Sequence, residues 1–125
     1  MRLLLDTHFL LWWLGDDPLL GDRARGAISA PENLIFFSAA SIWELRIKEA
    51  IGKIELPDDF ADVVLGQAFE PLAVTVRHAD ALRALPLHHR DPFDRMLVAQ
   101  ARVEGLTLLT RDAVIPRYGV PTLLA

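Results

Sequence analysis

Four short apolar runs, none of them interrupted, constrain this chain more than any other feature: "RLLLD" (Arg2–Asp6), "LIFFS" (Leu34–Ser38), "PLAVT" (Pro71–Thr75) and "LTLLT" (Leu106–Thr110). A strand with one face in water alternates apolar and polar residues. A run without alternation suits a strand covered on both faces. "TLL" (Thr122–Leu124) adds a short last strand. Helical patterns fill the intervals at His8–Leu14, Gly21–Ser29, Ala40–Ile51, Asp58–Gln67, Arg77–Ala84 and Pro92–Glu104, and Gly15, Gly52 and Gly105 stand where helices should stop. Strand–helix alternation predicts an α/β fold around a mostly parallel sheet. A length of 125 residues suits one domain, 1–125, with a sizeable core.

Composition narrows the function. The chain has no cysteine, which excludes disulfides and thiolate zinc sites. No segment reaches the roughly 18–20 apolar residues that span a bilayer. Arg2 and its leucines are broken by Asp6 and His8 too early for a signal peptide, so a cytoplasmic protein without membrane association is expected. The net charge of −4 argues against a nucleic-acid binder held by a basic surface, but leaves room for one bridged by a metal ion. An apolar fraction of 52% and a mean hydropathy of +0.26 leave apolar surface for a partner.

Asp6 poses the chemical question, because a carboxylate at the end of a buried run needs a partner. Glu44 follows the second run by about one helical turn, and Asp112 comes two residues after the "LTLLT" run. Asp94 opens a helix that runs back against the strands, so it starts at their carboxyl edge. Four carboxylates are therefore expected at the edge where parallel sheets bind ligands. Each has a structural alternative. "SIWE" reads as a capping box with Ser41 at the N-cap and Glu44 at N3. Asp91-Pro92-Phe93-Asp94 reads as an N-cap, a proline at N1 and an acid at N3, so Asp91 is assigned to capping. Asp6 could cap the next helix, and Asp112 the "AVIPRY" turn. Four coincident placements favour the shared site. Clustered carboxylates repel and hold some members protonated, so neutralising Asp6 should relieve strain. An oxygen-only ligand set suits magnesium or manganese.

The blocks "LLLDTHFLLWWL", "SAASIWELRIKEAIGKIEL", "HHRDPFDRMLVAQARVEG" and "LLTRD", in this order, resemble the PIN domain, and most of all the VapC toxins of type II toxin–antitoxin operons. The resemblance runs from Leu3 to about Tyr118. It implies a three-layer α/β/α sandwich and a Mg2+-dependent endoribonuclease in which Mn2+ can substitute. It also implies an RNA substrate, homodimerisation and inhibition by a VapB-type antitoxin. The family's acidic positions correspond to Asp6, Glu44, Asp94 and Asp112, as catalytic residues and metal ligands. Thr110 matches the hydroxyl that often precedes the last acid.

The remaining polar and aromatic residues are less decisive. His8 reads first as a packed helix-start residue, and His88 and His89 as a solvated loop. Trp12 and Trp13 are adjacent, so one should pack against the sheet and the other face a partner. Trp43 is expected in the core. Arg46, Lys48, Lys53, Arg90, Arg95 and Arg111 flank the acids; Arg111 is the best placed to position substrate, beside Thr110. Two other functions compete: a non-catalytic PIN-like interaction module, and a phosphohydrolase with Asp6 as covalent nucleophile. The second expects an aspartate two residues after Asp6, where this chain has His8.

Overall fold

The computed structural model describes all 125 residues. Five strands, β1 (Arg2–Leu5), β2 (Leu34–Ser38), β3 (Glu70–Leu72), β4 (Thr107–Thr110) and β5 (Thr122–Leu124), form one sheet in the order β3-β2-β1-β4-β5. Every pairing is parallel, with Leu3 beside Ile35 of β2 and Leu4 beside Leu108 of β4. Six helices cover it: α1 (Thr7–Leu14), α2 (Asp22–Ser29), α3 (Ala39–Ala50), α4 (Phe60–Leu65), α5 (Val76–Ala81) and α6 (Pro92–Glu104).

The unbroken leucines of β1 show why alternation is absent. Leu3 and Leu5 join a core with Phe9, Leu10, Ala24, Leu45 and Phe60, on the side of α1 to α4. Leu4, between them, points the other way into a core with Leu97, Val98, Ala101 and Leu108, on the side of α6. Both faces are dry, so both sets of positions must be apolar. The expected α/β/α layering is present.

Several elements differ from expectation in their ends. The third strand is Glu70–Leu72 rather than Pro71–Thr75, and Thr75 instead caps α5 in a capping box with His78. Ser41 is not an N-cap: β2 runs straight into α3, and Ser38 takes that role by accepting a hydrogen bond from the Ala40 N–H. Ser41 lies inside α3, its hydroxyl 2.8 Å from that of Thr7. Trp43 is not in the core but 64% exposed, its ring edge-on to Phe93. It flanks an apolar groove of about 590 Å³ lined by Phe37, Ile42, Val64, Leu65 and Leu72 among others. Trp12 and Trp13 are both half-buried, Trp13 against Phe69 and Gln67. No helix is long and apolar enough to cross a membrane.

Candidate active site

β1 passes into α1 through Asp6 alone, and this junction builds one wall of a polar pocket at the carboxyl edge of the sheet. Asp6 caps α1: its Oδ1 accepts the His8 N–H at 3.1 Å. Its Oδ2 accepts the hydroxyl of buried Thr110, at the end of β4, at 2.7 Å. Thr110 in turn accepts the Asp112 N–H at 3.1 Å, so one hydroxyl joins the first and last acids. The pocket, about 330 Å³, is lined by Asp6, His8, Phe9, Trp12, Asp94, Arg111 and Asp112.

Asp94 enters from α6. Asp91 caps that helix, its Oδ1 accepting both the Phe93 and Asp94 N–H groups. Asp91 therefore takes the helix-end donors that would otherwise settle the charge of Asp94. Burial and the neighbouring carboxylates of Asp91, Asp6 and Glu44 lift Asp94 to about 6, against partial relief from His89. Asp6 behaves oppositely. Burial raises it, but the bonds from His8 and Thr110 outweigh burial and leave it below the ordinary aspartate value. Strain among the acids thus shows at Asp94, with the Asp6 charge one of its sources, so neutralising Asp6 relieves Asp94 while weakening the bonds that Asp6 accepts. His8 lies 3.6 Å from Asp6, which raises the affinity of its ring for a proton.

Glu44 does not line the pocket. It is buried in α3 behind it and pairs with Lys48 at 2.9 Å, one turn on. With Ser38 as the cap, Glu44 has no part in a capping box, and its charge is felt at both Asp94 and His8. Asp112 holds its own turn, its Oδ1 accepting the Val114 N–H at 2.9 Å. Arg111 extends across Phe9 and Trp12, its guanidinium carbon 5.4 and 4.9 Å from the ring centroids. It donates to the carbonyls of Ala125, Leu19 and Leu20, so its positive charge at the pocket is held rigidly. Arg46 pairs with Glu49, and Arg95 is spent on the carbonyls of Pro86, Leu82 and Leu85.

One residue of this network lies outside the sequence reading. His89 is not a solvated loop residue: its side chain is 12% exposed, with Nε2 2.6 Å from Asp112 Oδ2 and Nδ1 2.7 Å from the Tyr118 hydroxyl. Both partners are more than twenty residues away in sequence. The one available signal is its place just ahead of the Asp91-Pro92 helix start, in "HHRDPFD".

No three His, Asp or Glu side chains already surround a single point as a metal shell would. The chemistry of the donor set nevertheless fits a hard divalent ion, because three aspartates share a small pocket and one of them lacks compensation for its charge. Magnesium commonly takes only one or two carboxylates and keeps several waters, so a complete protein shell is not required.

The fold is an α/β domain with an acidic pocket at the carboxyl edge of its parallel sheet. The sequence model of the PIN domain family matches residues 3–121, and the chain belongs to that family. PIN domains are nucleases that generally use divalent metal ions. The chain shares its fold with a chain of VapBC2 from Rickettsia felis bound to a promoter DNA fragment (TM-score 0.74, 15% identity, covering 99% of this chain and 98% of that one). It is also similar to a chain of DNA-bound VapBC from Salmonella typhimurium (0.66, 19%, 98% and 97%). A toxin–antitoxin complex from Klebsiella pneumoniae gives a third likeness (0.61, 21%, 96% and 94%). No curated protein sequence gives a significant match.

Proposed function

We propose that this PIN domain is a Mg2+- or Mn2+-dependent endoribonuclease and the toxin of a VapBC-type pair. The observation that carries the reading is Asp94: a half-buried carboxylate facing Asp6 and Asp112 across one pocket, with its negative charge unmet. A divalent ion bound there would supply the missing positive charge, polarise a phosphodiester oxygen and acidify a water. Asp6 and Asp94 are the residues to hold it, with Asp112 and Glu44 as the outer members of the set. Thr110 fixes the orientation of Asp6. His8 carries a proton more tightly than an ordinary imidazole and can give it to a leaving oxygen. Arg111 brings a rigid cation for an adjoining phosphate. With the 3′ oxygen as the leaving group, as the family resemblance implies, water attack breaks the P–O3′ bond and leaves a 5′-phosphate and a 3′-hydroxyl.

The partners proposed are a VapB-type antitoxin and a second copy of the chain. Support comes from the similar chains solved within VapBC and toxin–antitoxin complexes, and from the apolar groove beside exposed Trp43. The decisive experiment incubates the purified, antitoxin-free protein with total RNA in Mn2+ or in EDTA and maps the cut ends. Cleavage in Mn2+ alone, with 5′-phosphate ends, is expected. Full cleavage in EDTA contradicts the metal reading, and no cleavage in either favours the non-catalytic interaction module.

A further inference from the structure

His89 stands in the loop that leads into α6, and its ring is fixed on three sides. Nε2 meets Asp112 Oδ2 at 2.6 Å, and Nδ1 meets the Tyr118 hydroxyl at 2.7 Å. The His89 and Tyr118 rings also stack, 5.5 Å apart and 18° from parallel. Hydrogen-bonding capacity gives the first of these bonds a direction. A carboxylate only accepts, so Nε2 carries a proton and donates to Asp112, while Nδ1 and the Tyr118 hydroxyl share the second bond. His88 packs edge-on against the same tyrosine and closes the stack.

The consequence falls on Asp112. It sits on the loop after β4 with its side chain 36% exposed, where a carboxylate would ordinarily rotate. His89 holds Oδ2 and the Val114 N–H holds Oδ1, which leaves each oxygen one lone-pair direction. The same bond ties the loop before α6, and with it Asp91 and Asp94, to the loop after β4. We propose that His89 is a positioning residue of the active site, fixing the Asp112 carboxylate and, with Tyr118 holding its ring in place, the spacing between Asp112 and Asp94. The proposal rests on the reading of Asp112 as a member of the divalent-ion site. Partners of this kind behind metal-binding carboxylates orient them, and losing one costs roughly 10–100-fold in metal affinity or activity.

The test compares wild type, His89→Ala and His89→Gln. Mn2+ affinity is read by titration of the protein with the metal alone, and RNA cleavage by kcat and KM. His89→Ala should weaken Mn2+ binding and lower kcat, each by roughly 10–100-fold, with KM for RNA little changed. His89→Gln keeps an N–H at the reach of Nε2 and should recover most of both. The proposal is overturned if His89→Ala binds Mn2+ and cleaves like wild type, or if folded His89→Gln is as impaired as His89→Ala. A wild type that binds Mn2+ but cuts no RNA removes the ribonuclease reading; the affinity comparison then decides the role of His89 by itself.

Discussion

Asp6 leaves the end of β1 with a donor on each carboxylate oxygen, whereas Asp94, across the same pocket, stands in the first turn of α6 among three other carboxylates. The residue type is the same, and so is the pocket. The difference lies in what the adjoining elements provide. At the strand end, the first turn of α1 offers an N–H and β4 offers a buried hydroxyl, so the charge on Asp6 is settled before any ligand arrives. At the helix start, Asp91 has already taken the donors. One acid is therefore fixed in place, and the other is left needing a cation. A site built this way keeps its geometry when empty and still gains from binding.

Cleavage should not distinguish the two. Asp6→Asn and Asp94→Asn should each lower kcat by more than about a hundredfold, since even the residues behind metal-binding groups cost up to that much. Single-turnover cleavage in Mn2+ measures it, and an active Asp94→Asn would break the comparison at its root.

Stability should separate them, with opposite signs. Asp94 is raised from 3.8 to about 6 in the folded protein, so between those values the folded state binds more protons than the unfolded one. Metal-free wild type should lose stability as pH rises through that window. A shift of this size corresponds to about 3 kcal/mol when fully buried, and to about 1–2 kcal/mol after solvent screening of a half-exposed group. Asp94→Asn should gain that amount at pH 7 and lose the pH slope. Asp6 is shifted down, so its contribution is present above the ordinary aspartate range and lost as pH falls below about 4. Asp6→Asn should be destabilised by about 0.5–1.5 kcal/mol at pH 7. Urea unfolding from about pH 3 to 8, in EDTA, tests both signs.

The smallest effect sharpens the cause. Thr110→Val removes one of the two donors to Asp6 and should raise the Asp6 titration midpoint while costing about 1 kcal/mol. Asp94 should hardly move. An equal rise at both acids would mean that general burial, not specific donors, sets the contrast.

This contrast was invisible in the sequence, although the fold was largely legible there. Unbroken apolar runs report two covered faces, and the Asp91-Pro92 start and Gly105 stop of α6 are local signals that the structure keeps. Topology alone was enough to bring Asp6, Asp94 and Asp112 to one pocket, although not Glu44, which lies buried outside its lining. Of the donors to Asp6, the His8 N–H is a local helix cap that the sequence allows, whereas the Thr110 hydroxyl is not legible there because it arrives through the pairing of β4 with β1. The cap of α3 was misplaced for a related reason: Ser38 and Ser41 are equally good caps, and only the direct passage from β2 into α3 chooses between them. Trp43 shares α3 with buried Leu45, yet the helix turns Trp43 outward towards the groove. His89 finds Asp112 and Tyr118 across the chain, where no periodicity leads.

The central claim is that Asp94 is the acid a cation must satisfy. Carboxyl 13C titration of Asp94 by NMR, with and without saturating Mg2+, measures this directly. Without metal the midpoint should lie at about 6, and Mg2+ should drive it below the ordinary aspartate value of 3.8. An ordinary midpoint in the metal-free protein, or one near 6 that Mg2+ leaves unchanged, would contradict the account.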